Sequence, residues 1–147
     1  MKIVDTYEYV SVLKDVVDSG MGASLVVAGN SMSPFLVDGR DSIYFERPSR
    51  PLRKGDMVFY QRESGQFVMH RIYDIRKEGL YIVGDAQVVV EGPVLPCRVF
   101  AVVTKVCRKG KWIGPNDFWW QFFARVWIRL IPFRKGLEKA YRLVRHV

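Results

Sequence analysis

The sequence contains little of what marks several common classes of protein. It has two cysteines, Cys97 and Cys107, and no Cys-x-x-Cys pair, so neither a disulfide scaffold nor a zinc site is expected. Both fall in one strand-like run, where ten extended residues would hold them about 33 Å apart, so we expect free thiols. No metal or other cofactor is predicted.

Long apolar segments are also missing. The chain has no uncharged apolar run of about 18 residues, the length at which a transmembrane helix is expected. Residues 1–5 carry an acid early and are not followed by the apolar core of a signal peptide. We therefore expect neither an ordinary transmembrane helix nor a cleavable signal peptide.

Acidic residues are scarce towards the C-terminus. Residues 105–147 hold 11 Lys and Arg but only two acids, Asp117 and Glu138, whereas residues 1–104 hold 12 basic and 13 acidic residues. The formal charge of +8 therefore belongs to the tail. Such segregation indicates that the tail contacts an anionic partner, either a membrane surface or nucleic acid.

The remaining pattern is typical of one globular domain with a mostly β body. The chain has 147 residues, of which 49% are hydrophobic and 26% charged. Residues 3–18 have apolar positions at helical spacing, and short β-rich runs separated by Gly, Pro and Asp begin at Ala23. The predicted strands are 24–28, 42–46, 57–61, 66–76, 80–83 and 98–108.

These elements predict a coiled, barrel-like sheet, preceded by an amphipathic helix and followed by an apolar and basic helical pair. The predicted boundaries are an N-terminal helix over 1–22, a β domain over 23–114 and a helical tail over 115–147.

The tail has an unusual apolar segment. Phe118–Ile131 has polar residues only at Gln121, Arg125 and Arg129, so a helix there would be apolar on most of its surface. It is too short to span a bilayer, and its composition suits the membrane interface. The alternative is a helical hairpin, completed by a basic helix over 134–147, packed on the β domain or on a partner chain. The candidate membrane contacts are Trp119, Trp120, Phe123, Trp127, Arg125 and Arg129.

Two polar residues of the β body are candidates for chemistry. Ser31 lies in a turn directly after a predicted strand, where a nucleophile can be rigid and exposed, although turns often recruit Ser for hydrogen bonding. His70 alternates with Val68 and Ile72 on one strand face, where a structural histidine is the alternative. The only other histidine is His146, at the end of the tail. A Ser–His enzyme would therefore use His70 as its base.

Four short motifs around these residues occur in a recognisable order. They are Gly29–Pro34 (GNSMSP), Arg53–Phe59 (RKGDMVF), Phe67–Ile72 (FVMHRI) and Val83–Asp85 (VGD). Together they resemble the superfamily of serine peptidases that includes the type I signal peptidases and the self-cleaving SOS-repressor domains. The resemblance covers about residues 23–108, and it implies the mostly β peptidase fold of that superfamily.

The third motif distinguishes the subtypes. Most bacterial signal peptidases and the repressors have Lys where this chain has His70, whereas the archaeal and endoplasmic-reticulum type has His. The resemblance therefore implies Ser31 as nucleophile, His70 as general base and Asp85 as the acid that orients the imidazole. Asp74 lies on the predicted His70 strand and, by alternation, on the same face, so it is an alternative acid. Since an unperturbed histidine loses its proton near pH 6.5, activity is expected to rise through that region.

The oxyanion hole departs from the family pattern. Many relatives have a Ser two residues before the nucleophile, and this chain has Gly29. The remaining candidate donors are the backbone N–H of Ser31 and the amide of Asn30. No N-terminal membrane anchor, usual in the family, is predicted from residues 1–22, and the apolar C-terminal helix is the candidate replacement.

The function expected from these features is a membrane-associated serine endopeptidase that cleaves exported or membrane-presented precursors. One alternative is a peptidase of the same superfamily with a dedicated substrate, or one that processes itself. Another is a non-catalytic module whose basic tail binds anionic lipid or nucleic acid. Nucleic acid is disfavoured as a partner, because no helix-turn-helix pattern is present and the tail is strongly apolar.

Overall fold

A computed structural model describes residues 3–131 of the chain, with side chains from residue 8 onward. Its architecture is mostly β, an antiparallel sheet of eight strands with two α-helices. The elements are α1 (Ile3–Asp18), β1 (Ala23–Val26), β2 (Ser42–Glu46), β3 (Met57–Gln61), β4 (Phe67–Arg76), β5 (Gly79–Val83), β6 (Glu91–Val94), β7 (Val99–Arg108), β8 (Lys111–Ile113) and α2 (Phe118–Arg125). Short 3₁₀ turns lie at Pro96–Arg98 and Trp127–Leu130.

The strands are not arranged in chain order. The order across the sheet is β1-β2-β7-β3-β4-β5-β6, with β8 paired to β7. Strand β7 lies between β2 and β3, so the segment after β6 returns to the middle of the sheet. The sheet is open, because β1 and β6 stand at opposite ends of this order.

The central strand β3 is buried on both faces. Met57 and Phe59 belong to a core shared with α1, α2 and the loop after β1, whereas Val58 and Tyr60 belong to a second core with residues of β4 and β5. A strand with two covered faces has apolar residues in succession rather than in alternation, which the sequence MVFYQ satisfies.

The first helix covers one side of the sheet. Helix α1 spans Ile3–Asp18, where the sequence periodicity predicts a helix. Val10 and Val17 are buried in the first core, while Tyr9 and Val12 on the other side of the helix remain exposed. This one-sided burial is what the i, i+3, i+4, i+7 pattern produces.

The apolar C-terminal segment is shorter as a helix than its composition predicts. Helix α2 ends at Arg125, and a 3₁₀ turn covers Trp127–Leu130. Asp117 caps its N-terminus, accepting hydrogen bonds from the backbone N–H groups of Trp119 at 2.9 Å and Trp120 at 3.2 Å. The predicted basic helix over 134–147 lies outside the described residues.

Candidate functional site

Ser31 lies in a turn region that joins β1 to β2. Its side chain is half-buried, and the following Met32, Phe35 and Leu36 are buried in the first core. The turn is fixed at its start by the Gly29 N–H, which donates to the Asp38 carboxylate at 2.7 Å. Apolar anchors on one side and a hydrogen bond on the other therefore position Ser31 on a rigid loop.

A second turn, Gly84–Gln87, packs directly against the Ser31 backbone. The Ala86 N–H donates to the Ser31 carbonyl oxygen at 2.9 Å. A Cβ atom at Gly84 would collide with that same carbonyl oxygen, so only glycine allows this approach. The turn that follows from the VGD motif thus holds the Ser31 loop by backbone contacts.

His70 lies on β4, opposite Val58 of β3. Its side chain is 7% exposed and lies between Val68 and Ile72 on the face of the second core. Strand β5 pairs with β4 only from Arg71 onward, so His70 lies where the β4 edge loses its β5 partner. This position opens the imidazole to the space beside the Ser31 loop.

Ser31 and His70 line the same cleft, which has a volume of about 770 Å³. Its walls come from α1, β1, β2, the β3–β4 hairpin and the Gly84–Gln87 turn. The apolar lining residues are Val10, Leu25, Val27, Met32, Ile43, Phe59, Phe67, Val68 and Met69. The cleft is therefore an apolar groove with the two candidate catalytic side chains in its lining.

The Ser31 hydroxyl and the His70 imidazole are not hydrogen-bonded to each other or to other described side chains. Catalytic hydrogen bonds often form only when substrate binds, so this geometry is compatible with a Ser–His pair. Within residues 3–131 the Ser31 N–H also has no protein acceptor, which leaves it available as an oxyanion donor. Asn30, the other candidate donor, is exposed.

Asp85 does not contact His70. Its carboxylate accepts two hydrogen bonds from Arg71, at 2.8 Å from Nε and 2.9 Å from Nη2, and both side chains are buried. Arg71 and His70 are neighbours on β4, so their side chains point to opposite faces of the sheet. Asp85, which bonds to Arg71, therefore lies on the face opposite His70. In this structure the acid expected to orient the imidazole is thus paired with Arg71 instead.

The alternative acid, Asp74, is also engaged elsewhere. A bulge separates Ile72 from Asp74 in the β4–β5 register, which breaks the alternation that placed Asp74 on the His70 face. Arg76 donates to Asp74 at 2.8 Å and Lys54 lies 3.1 Å from it. The Arg76 and Lys54 hydrogen bonds lower the pKa of Asp74 to about 2.

Glu91 is the acid that shares a cavity with His70, and the sequence analysis did not identify it. Glu91, Arg62, Gln87 and His70 line a second cavity of about 360 Å³. Arg62 contacts the Glu91 carboxylate at 2.7 Å, and the Tyr60 hydroxyl donates to it at 2.9 Å. Burial alone would raise the pKa of Glu91, but these hydrogen bonds outweigh it and lower the pKa, so Glu91 is ionised at neutral pH.

Burial is the main reason why the lowered pKa of His70 favours the neutral imidazole at physiological pH. Burial, followed by the positive charge of Arg62, lowers the pKa of His70 to about 4, while Glu91 acts in the opposite direction. A neutral imidazole is the form that accepts a proton. The expected rise of activity near pH 6.5 is therefore displaced to lower pH.

Helix α2 divides the candidate membrane residues into two groups. Trp120 and Phe123 are buried against Phe35, with ring centroids 6.2 Å and 5.0 Å from it. Of the candidate membrane contacts, these two therefore belong to the protein core in this structure and not to its exposed surface. Trp127 is half-buried, and its indole N–H donates to the Asp85 carbonyl oxygen at 2.7 Å.

The outer side of α2 remains exposed. Phe118, Trp119 and Val126 are 68%, 48% and 48% exposed, and Arg125 and Arg129 are exposed as well. The rings of Phe118 and Trp119 lie 5.1 Å apart, and the Arg108 guanidinium lies 5.9 Å from the Trp119 ring. We call these exposed residues the outer aromatic surface of α2.

The described part of the chain has neither a candidate metal site nor a candidate membrane-spanning helix. Between residues 3 and 131 no three or more His, Cys, Asp or Glu side chains are grouped so that they could hold a metal ion. None of the helices described there has both the length and the apolarity needed to cross a bilayer. Cys97 and Cys107 are free thiols.

Comparisons with protein-family models, with curated proteins and with solved structures each give no match for this chain. A function for the site therefore has to be argued from its own residues and geometry.

Proposed function

We propose that this chain is a serine endopeptidase of the signal-peptidase type, with Ser31 as nucleophile and His70 as general base. The observation that carries the proposal is that Ser31 and His70, which are distant in sequence, line one apolar cleft. The direct contact between the Ser31 loop and the Gly84–Gln87 turn adds support, because it unites the first and fourth motifs.

The reaction would be acyl transfer in two halves. His70 takes the hydroxyl proton as Ser31 Oγ attacks the scissile carbonyl, and it returns that proton to the leaving amine as the C–N bond breaks. Water then attacks the acyl-enzyme with the same assistance and releases Ser31. The Ser31 N–H and the Asn30 amide are the proposed donors to the oxyanion.

An extended peptide is the substrate form that suits the cleft. Strand β1 is at the end of the sheet, and Leu25 and Val27, at its end, line the cleft. On the opposite wall, Val68, Met69 and His70 of β4 pair with β3. Their other edge is not paired with β5, because the β4–β5 pairing begins at Arg71. Exposed strand edges bind extended peptides by adding a strand, with side-chain pockets setting specificity. The apolar lining favours substrates with apolar side chains.

We assign different roles to the nearby acids. Glu91, whose negative charge favours the imidazolium, is the acid proposed to assist His70. Asp85 is proposed to hold the Gly84–Gln87 turn in place through Arg71. We further propose that the open sheet is a form of the coiled, barrel-like sheet of this superfamily, because its central strand β3 is covered on both faces.

Replacing the nucleophile tests the catalytic proposal. Ser31→Ala should lower peptide cleavage by about 10³-fold or more, while Ser33→Ala in the same motif should leave most activity. Treatment with a fluorophosphonate probe and mapping of the labelled residue should identify Ser31. Full activity of a folded Ser31→Ala protein would rule out Ser31 as the nucleophile. A parent chain that neither cleaves peptides nor takes up the probe would favour a non-catalytic module. Mass analysis of the incubated protein alone would reveal self-processing.

We also propose that the chain associates with an anionic membrane through the outer aromatic surface of α2. Exposed Trp and Phe side chains beside arginines suit the boundary between headgroups and acyl chains. The neighbouring acid, Asp117, is occupied in capping α2. The excess of Lys and Arg in residues 105–147 supports attraction to anionic lipid.

Vesicle binding tests this second proposal. The full chain should bind phosphatidylserine vesicles at low salt, and binding should weaken as salt rises because the attraction is screened. Phe118→Ser with Trp119→Ser should reduce binding more than Tyr9→Ser, since Tyr9 lies on α1, outside the outer aromatic surface. Tyr9 is a suitable control because its exposure, 50%, is close to the 48% of Trp119. If the parent chain does not bind at low salt, the outer aromatic surface has another purpose.

A further inference from the structure

Helix α2 and the 3₁₀ turn after it, Phe118–Leu130, contact residues next to the candidate site at two points. We call Phe118–Leu130 the C-terminal segment. At the first, the Trp127 indole N–H donates to the Asp85 carbonyl oxygen at 2.7 Å, across 42 residues of sequence. At the second, a Cβ on Gly55 would lie 2.6 Å from the Ala124 carbonyl oxygen, so the backbone of α2 touches the turn before β3. Gly55 also has a φ of +93°, which glycine adopts without strain.

The buried guanidinium of Arg71 connects these two points. Arg71 donates to the Asp85 carboxylate through Nε and Nη2, and its Nη1 donates to the Gly55 carbonyl oxygen at 2.8 Å. Gly55, Arg71 and Asp85 therefore form one connected unit, and α2 with its following turn is in contact with both ends of it.

The same unit continues to the nucleophile. Asp85 is followed by Ala86, whose N–H donates to the Ser31 carbonyl oxygen, and preceded by Gly84, which packs on that oxygen. A displacement of the Asp85 backbone would thus move the group that holds the Ser31 main chain. Errors of about 1 Å in such positions lower catalytic rates substantially.

We infer that Trp127 is a positioning residue for Ser31, acting through the Asp85 backbone. The inference rests on the proposed function of Ser31 as nucleophile. Among the described residues that line the cleft, none comes from α2 or the turn after it. Loss of the Trp127 hydrogen bond should therefore reduce kcat and leave KM nearly unchanged.

The test compares Trp127→Phe with Trp127→His. Phenylalanine keeps much of the ring but has no N–H, whereas the Nε2–H of histidine occupies the same ring position as the indole N–H. Trp127→Phe should lower kcat and the rate of fluorophosphonate labelling about tenfold, the equivalent of one lost hydrogen bond. Trp127→His should retain more of both rates. A packing role for Trp127 predicts the reverse order, and that result would overturn the inference.

A measurement that does not depend on catalysis separates this inference from the proposed function. Hydrogen exchange of the Ala86 amide, followed by NMR, should be faster in Trp127→Phe than in the parent, and unchanged in the control Trp119→Phe. If the parent is not labelled at Ser31, the proposed function fails whatever the exchange rates are. If the parent is labelled but Trp127→Phe keeps the parental kcat and Ala86 exchange, Trp127 has no positioning role.

Discussion

Strand β4 carries two adjacent buried residues of opposite character on its two faces. Arg71 has no exposed surface, and its charge is matched by two hydrogen bonds to Asp85 and one to Gly55. His70 is nearly as buried, yet it has no described hydrogen-bond partner and borders two cavities.

The difference shows that one face of a strand can stabilise the fold while the other face carries a group suited to proton transfer. A buried charge is stable only when its partners satisfy it, so the Arg71 face is rigid and serves the structure. A buried titratable group without such partners stays neutral and can accept a proton, so the His70 face is suited to reaction. Three substitutions, at Asp85, His70 and Arg62, test this contrast.

The largest expected effect is on the Arg71 face. Asp85→Asn leaves the buried Arg71 charge unmatched, which should lower the free energy of unfolding by about 3–5 kcal/mol. Denaturant unfolding at pH 7 measures this loss. The matched control is Asp74→Asn, which removes two ion pairs at the surface, to Arg76 and Lys54, and should have little effect. Equal stability of the two variants would contradict a structural role for Asp85.

The next effect is a pH dependence of stability that originates at His70. Its pKa is about 4 when folded and about 6.5 when unfolded, so between these values the unfolded chain binds the extra proton. Acidification from pH 6.5 to 4 should therefore cost up to about 3 kcal/mol of stability, all of it present above pH 6.5.

His70→Gln removes this titration and provides the comparison. The difference in unfolding free energy between parent and variant should become more favourable to the variant as pH falls through that window. Parallel curves for the two proteins would mean that His70 titrates normally. In the active protein, the same lowered pKa predicts that kcat/KM is already near its plateau at pH 5.5.

The smallest effect concerns the charges near His70. Arg62→Gln removes the cation that disfavours the imidazolium and releases Glu91 from its ion pair, and both changes should raise the pKa of His70, by about one unit. NMR titration of the imidazole signals measures it, with His146 as the second signal in a chain of two histidines. Arg76→Gln, on the exposed end of β4, should cause no shift.

Much of the β architecture was predictable from local pattern. The six strands predicted from the sequence coincide, within about two residues, with β1, β2, β3, β4, β5 and β7. Strand β6 was not predicted, because Gly92-Pro93 is typical of a turn, and β8 was not predicted, because three residues carry too little pattern. Edge strands tolerate such residues, since only one side of each has to pair.

The candidate site was predictable only in part. The order of the four motifs predicted Ser31 and His70 as site residues. Both line the cleft. Their catalytic roles stay predictions. The partner of Asp85 was not predictable, because a sequence contains many acids and bases and does not state which of them meet. Glu91 was missed for the same reason, and no local signal distinguishes it from the other surface acids.

Local periodicity and composition determined where strands and helices form, because a residue's preference for extended or helical backbone depends on its near neighbours. Tertiary structure decided which side of α2 is covered, since Trp120 and Phe123 are as apolar as Phe118 and Trp119 and only the position of Phe35 separates them. It also decided that His70 is neutral and Arg71 paired, because burial and partner distance, which set both, arise from residues far apart in the chain.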